Sequence, residues 1–327
     1  MSTPTQFVTA VLASLLLAGT AAAQDRGTEP SEGQPRSRAP RHDEERSHRT
    51  PVDPVAAGVA GGLAAGFLGA GLGIYLAPPT HHDEASVWRG GIVADEPVRD
   101  ALRASSPEAI SVAGRISDVM LVTTIAYTTL ADALLIPLLQ DDPDLAWQAS
   151  LAHSLAFGIT LTAGGIVKRA TGRARPYERN CQADPSAPGC SSHDIFESFY
   201  SLHTGLAATS AGVSCALHLE RNLFGDMPAD IMSCGGSIAA ATMTGLLRVV
   251  ADRHYLSDVL IGGLLGFAVG YIVPLLVVPS RPSRTARQLE RERERDEPAS
   301  DFTWSVMPMG GGEAGGFTIG ASVVGTF

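Results

Sequence analysis

Six stretches of the chain are apolar densely enough to form long helices: Val55 to Ala77, about Ile116 to Leu139, Leu145 to Lys168, Leu202 to Leu219, Ile231 to Val250 and Leu256 to Val278. The first carries no charge, is dense in Gly and Ala, and meets the ~20-residue length needed to cross a bilayer. Its small residues suit close helix packing. The second has Asp118 near its start and Asp132 inside. A polar loop with a short amphipathic piece around Val98 to Leu102 follows the first helix, and an Asp-rich turn from Asp141 to Asp144 separates the second from the third. Long loops after the first and third helices and short turns elsewhere predict an all-α, membrane-embedded six-helix bundle over residues 55–279.

The flanks have different patterns. Residues 1–23 hold an apolar run from Phe7 to Ala18 and end in Ala21, Ala22 and Ala23, as a signal peptide or signal-anchor does. No Lys or Arg precedes that run. Residues 24–54 are polar and rich in Pro, Arg, Glu and Asp, the composition of a disordered linker. A charged linker over 280–301 leads to residues 302–327, which read as one β-hairpin around a Gly-rich turn. One hairpin falls far short of the ~8 strands of an outer-membrane barrel.

Composition narrows the function. At 45% hydrophobic with 35 Gly, the chain lies between soluble and membrane classes. A net charge of -10 and the lack of a basic stripe exclude nucleic-acid partners. Of four cysteines, Cys181 and Cys190 bracket a Pro- and Gly-containing segment that reads as a small loop closed by a disulfide, with free thiols as the alternative. Their spacing fits no zinc pattern.

Three polar clusters fall at helix ends, and up-down connectivity brings them to one end of the bundle. The first contains the only lysine, Lys168, with Arg175 seven residues on; on a helix the two would share a face and an anion. Ser201, Leu202 and His203 open the fourth helix, where outward N–H groups and the helix dipole favour an anion. Arg248, His254 and Asp258 span the turn from the fifth to the sixth. Arg175 and Arg248 supply planar forks suited to phosphate and Lys168 a point charge. Four residues apart on a helix, Asp258 would accept a proton from one nitrogen of His254 and leave the other as a nucleophile. His203 is then free as general acid.

Lys168, six residues, Arg175 and Pro176; then Ser201, one residue, His203; then Arg248, five residues, His254, three residues, Asp258: this order resembles the three-part signature of the phosphatidic acid phosphatase type 2 superfamily, which includes bacterial acid phosphatases and vanadium haloperoxidases. The resemblance implies a phosphohistidine on His254, with Asp258 as its partner and His203 as the acid. It implies a phosphoryl group held by Lys168, Arg175, Ser201, Leu202 and Arg248, without metal or cofactor. Three positions depart from the family pattern. Tyr200 and Leu202 replace Pro and Gly in the second motif, and Leu247 stands where Ser often precedes the third-motif arginine. Leu202 is expected to crowd the phosphate or narrow the substrate entrance.

The expected activity is hydrolysis of a lipid phosphate or isoprenyl diphosphate in a bacterial-type cell envelope, at the inner membrane with a periplasm-facing site. The alternatives are an exported acid phosphatase, a vanadate-dependent haloperoxidase, and a non-catalytic bundle or transport protein. Topology poses a conflict: cleavage after residue 23 with residues 55–77 spanning would put the catalytic loops in the cytoplasm. A retained first segment, a non-spanning first helix or a wholly exported bundle would each resolve it.

Overall fold

A computed structural model describes residues 54–78, 88–185, 190, 194–278, 303–313 and 316–326, the last two stretches by their backbone path. The expected leader, the 24–54 linker apart from Pro54, and the linker over 280–301 lie outside the described residues. The chain divides into two compact units, residues 1–280 and 281–327.

Eight helical segments are described in the first unit, not six. The long ones are α1 (Pro54–Leu76), α3 (Pro107–Leu139), α4 (Pro143–Thr171), α6 (Leu202–Cys215, continuing as a π-helical stretch over Ala216–Glu220), α7 (Met227–Val250) and α8 (Leu256–Val277). Two short ones, α2 (Asp95–Leu102) and α5 (Glu178–Ala183), lie in stretches read as loops. All the long helices except α6 are long and apolar enough to cross a membrane. In the second unit β1 (Thr303–Glu313) and β2 (Gly316–Thr326) run antiparallel, with Glu313 opposite Gly316.

Helix starts follow from local chemistry. Ser106 and Asp142 accept hydrogen bonds from Ala109 N (3.2 Å) and Leu145 N (2.9 Å), each followed by a proline at the first helical position. At the other end of α4, Gly172 adopts φ 52° and caps the helix in the left-handed region. That stop corrects one expectation: Arg175 lies beyond the helix, so it and Lys168 do not share a helical face.

Small residues set the packing. All residues of α6 from Thr204 to Cys215 are buried. Gly262, Gly266 and Gly270 repeat every fourth residue on α8, so that a Cβ at Gly266 would strike the Gly205 carbonyl and one at Gly270 the Thr209 carbonyl. Two disulfides brace the unit, Cys181–Cys190 and Cys215–Cys234. The second joins α6 to α7 inside the bundle.

Helix direction places the site. α1 runs parallel to α4, Gly61 facing Leu151 and Gly71 facing Leu161, and Arg169 donates to the carbonyls of Ile74 and Ala77 beyond them. One end of the bundle therefore collects the C-termini of α1, α4 and α7 and the N-termini of α3, α6 and α8. Toward the other end, a π-helical stretch of α3 (Tyr127–Leu135) and the one that continues α6 contribute to one buried cluster. His218 lies between Asp230 (2.6 Å) and Asp132 (3.2 Å), with Ser233 at 2.9 Å.

Candidate active site

His254 sits in the tight turn between α7 and α8. Asp252, at φ 57°, shapes that turn, and Arg99 of α2 pins it with two hydrogen bonds to the Asp252 carboxylate, at 2.6 and 2.8 Å. Arg103 adds a third contact at 2.9 Å. The amides of Arg253 and His254 both donate to the Arg248 carbonyl, tying the histidine to the end of α7. The imidazole is buried, and Nδ1–H donates to the Ser198 carbonyl at 2.8 Å. A carbonyl can only accept, so the proton resides on Nδ1 and Nε2 keeps its lone pair. Burial, then the positive charges of Arg175, Lys168 and Arg248, hold His254 well below the usual histidine range.

Asp258 does not take the expected role. α8 begins at Leu256, so His254 precedes the helix and the i,i+4 geometry of a continuous helix does not hold. The carboxylate stands 3.7 Å from Nδ1. It accepts instead from Ser198 Oγ (2.6 Å), Tyr255 N (2.9 Å) and Arg173 Nη1 (2.5 Å). Asp258 thus reaches His254 through Ser198, whose hydroxyl binds the carboxylate and whose carbonyl binds the ring.

Arg173, absent from the expected set, organises this layer. Its side chain is fully buried, with the guanidinium 4.0 Å from the Trp88 ring centroid and 4.4 Å from that of Tyr255. It donates to Asp258, Ser257 (2.9 Å), the Gly90 carbonyl (3.0 Å) and Asp95 (2.8 Å). Burial opposes the charge on Asp95, but hydrogen bonds from Ile92 N, Ser257 and Arg173 outweigh it and hold the carboxyl below the usual range.

The remaining groups divide by partner. Lys168 is buried and its ammonium donates to the Glu197 carbonyl. Arg175 donates to the carbonyl and carboxylate of Asp194 and to the Arg253 carbonyl. Asp118, also absent from the expected set, accepts from Arg248 Nη1 at 3.0 Å and lies 3.1 Å from His203 Nε2. Arg248 Nε is buried with no hydrogen-bond partner among the described residues.

Two second-motif residues are held by contacts within the protein. Ser201 is fully buried, and its Oγ caps α6 by accepting from Thr204 N (3.5 Å) and also accepts from Thr204 Oγ1 (2.9 Å). Leu202 packs on α4: a Cβ at Gly164 would lie 2.6 Å from Leu202 Cδ1 and 3.4 Å from the Tyr200 ring. The missing side chain at Gly164 makes room for both substitutions, and Leu202 is not part of the cavity wall.

His203, Arg248 and Asp118 line a cavity of about 550 Å³ whose wall also includes Arg253 and Asp194. That volume suits a small-molecule site. Residues 149–282 match the family model described as PAP2 superfamily. No curated protein and no solved structure matches the chain. The match runs from α4 through α8 and includes Lys168, Arg175, His203, Arg248, His254 and Asp258, whereas Asp95, Arg99 and Asp118 precede it. Residues 149–282 are thus similar to the PAP2 superfamily, the family that the three motifs of the chain resemble.

Proposed function

We propose that the protein hydrolyses a lipid phosphate through a phosphohistidine at a membrane surface. The observation that carries this reading is the buried, neutral His254, held by Nδ1–H to Ser198 with Nε2 available amid Lys168, Arg175 and Arg248. Nε2 attacks phosphorus; the N–P bond forms as the bond to the leaving oxygen breaks, and His203 delivers a proton to that oxygen. Water, deprotonated by His203, then cleaves the N–P bond and releases inorganic phosphate. Lys168, Arg175, Arg248 and the first amides of α6 balance the charge on the phosphoryl oxygens. Asp258 and Arg173 keep Ser198, and through it the ring, in place.

Membrane attachment is supported by five apolar helices of spanning length and by large apolar side chains facing outward, among them Leu264, Leu276, Ile231 and Met232. The two disulfides support folding in an oxidising compartment, and Cys181–Cys190 at the active end supports a site on its side of the membrane.

The test is phosphate release by purified protein from phosphatidic acid or an isoprenyl diphosphate with EDTA present, and its inhibition by vanadate. Lack of release from any phosphorylated lipid contradicts the reading, and turnover that EDTA abolishes points to a metal-dependent reaction.

A further inference from the structure

Not all of the positive charge around the cavity is paired with a carboxylate. Asp118 neutralises Arg248, Asp194 neutralises Arg175, and Asp252 is shared by Arg99 and Arg103. Two other arginines on the cavity wall, Arg115 of α3 and Arg253 beside the catalytic turn, have no carboxylate within ion-pair distance among the described residues. Arg115 Nη2 donates only to Ser111 Oγ, at 3.0 Å, and the Arg253 guanidinium lies 5.7 Å from the Tyr177 ring centroid. In a chain of net charge -10, two guanidinium groups without a carboxylate partner on the wall that His203 also lines offer a place for an anion.

Their position identifies which anion. Both share the cavity wall with His203, the group that would protonate the leaving oxygen, while Lys168 and Arg175 are not part of that wall. The additional negative charge therefore belongs to the leaving group.

We propose that Arg115 and Arg253 form a second anion subsite that holds the inner phosphoryl group of a diphosphate ester. This rests on the phosphohistidine reading and names its substrate class. His254 Nε2 attacks the terminal phosphorus, the bridging P–O bond breaks, and a monophosphate ester departs with its new terminal oxygen against the two arginines. Water then returns His254 and releases inorganic phosphate. Paired guanidinium forks suit this group, because each presents parallel N–H donors to two phosphoryl oxygens.

The experiment uses the full chain in detergent with an isoprenyl diphosphate and the isoprenyl monophosphate of the same length. Wild type is expected to favour the diphosphate by about tenfold or more in kcat/KM, a single charge-assisted contact being worth about that much. R115Q and R253Q should each lower diphosphate kcat/KM by about tenfold while moving the monophosphate value much less, with R253K retaining part of the preference. Equal losses on both substrates, or a preference unchanged in both variants, would overturn the subsite. If wild type turns over neither substrate, the phosphohistidine reading fails on its own. Calorimetric binding of inorganic pyrophosphate and phosphate then decides the subsite: tighter pyrophosphate binding lost in R115Q and R253Q supports it, and equal binding of the two anions refutes it.

Discussion

Replacing Arg173 with methionine removes the one cation that two buried carboxylates share. Asp95 and Asp258 are 2% and 0% exposed, and their contacts with Arg173 are 2.8 and 2.5 Å. Methionine fills much of the space between Trp88 and Tyr255 but leaves both charges without their partner. Breaking a buried pair in this way costs about 3–5 kcal/mol, a large share of the ~5–15 kcal/mol that holds a domain together. For a unit of this size that corresponds to a drop of about 6–20 °C in melting temperature. The loss should be partly reversed in D95N/R173M, where one of the two stranded charges is gone, so the double variant should melt above R173M. Thermal unfolding in detergent reads the stability, and phosphate release reads the displacement of Ser198 and His254 that follows when Asp258 shifts. A melting temperature for R173M within about 2 °C of wild type, or a double variant as destabilised as the sum of the two singles, would refute the shared-cation reasoning.

Three further perturbations probe the catalytic face. D118N should lower kcat by about tenfold or more, because Asp118 orients both His203 and Arg248, and general acid catalysis contributes about 10²–10⁴-fold; an unchanged kcat would remove Asp118 from the mechanism. L202G should cost stability, roughly 1–2 kcal/mol for removing a half-buried leucine and placing glycine in a helix, with little change in turnover, because the side chain packs on Gly164 and not on the cavity. A marked gain in kcat/KM on restoring glycine would show that Leu202 does obstruct the substrate. With His254 held well below the usual histidine range, lowering the pH through 6.5 should leave the ring neutral and nucleophilic; labelled phosphohistidine formed at pH 5.5 should match that at pH 7.5, and a loss centred near 6.5 would contradict it.

What the sequence made legible was what rare residue types at fixed spacing can carry. A single lysine, a histidine at a helix start and an Arg…His…Asp run mark the candidate active end because charged groups at the ends of apolar helices are costly unless used. The groups that orient them were harder to read. In the sequence Arg173 is one arginine between Arg169 and Arg175, and only the fold reveals the Trp88 and Tyr255 rings against it. Asp118 and Asp95 lie 85 and 108 residues before His203, so nothing local ties them to it. The link from Asp258 to His254 was misassigned because it assumed a helix reaching back to residue 254, whereas α8 starts at Leu256. Cys215 and Cys234 lie within apolar helices and offered no loop to close, so their pairing follows only from how α6 meets α7. Gly164 explains why Tyr200 and Leu202 are accommodated, a compensation placed 36 and 38 residues away in sequence.

The most direct measurement is alkaline-quenched trapping of an acid-labile, base-stable phosphoenzyme from a labelled isoprenyl diphosphate in the presence of EDTA, with the modified residue mapped by mass spectrometry. A phosphohistidine at His254 in wild type, absent in H254A and accumulating in H203A, is the predicted result. Phosphate release at the wild-type rate by H254A, or label on any other residue, would contradict it.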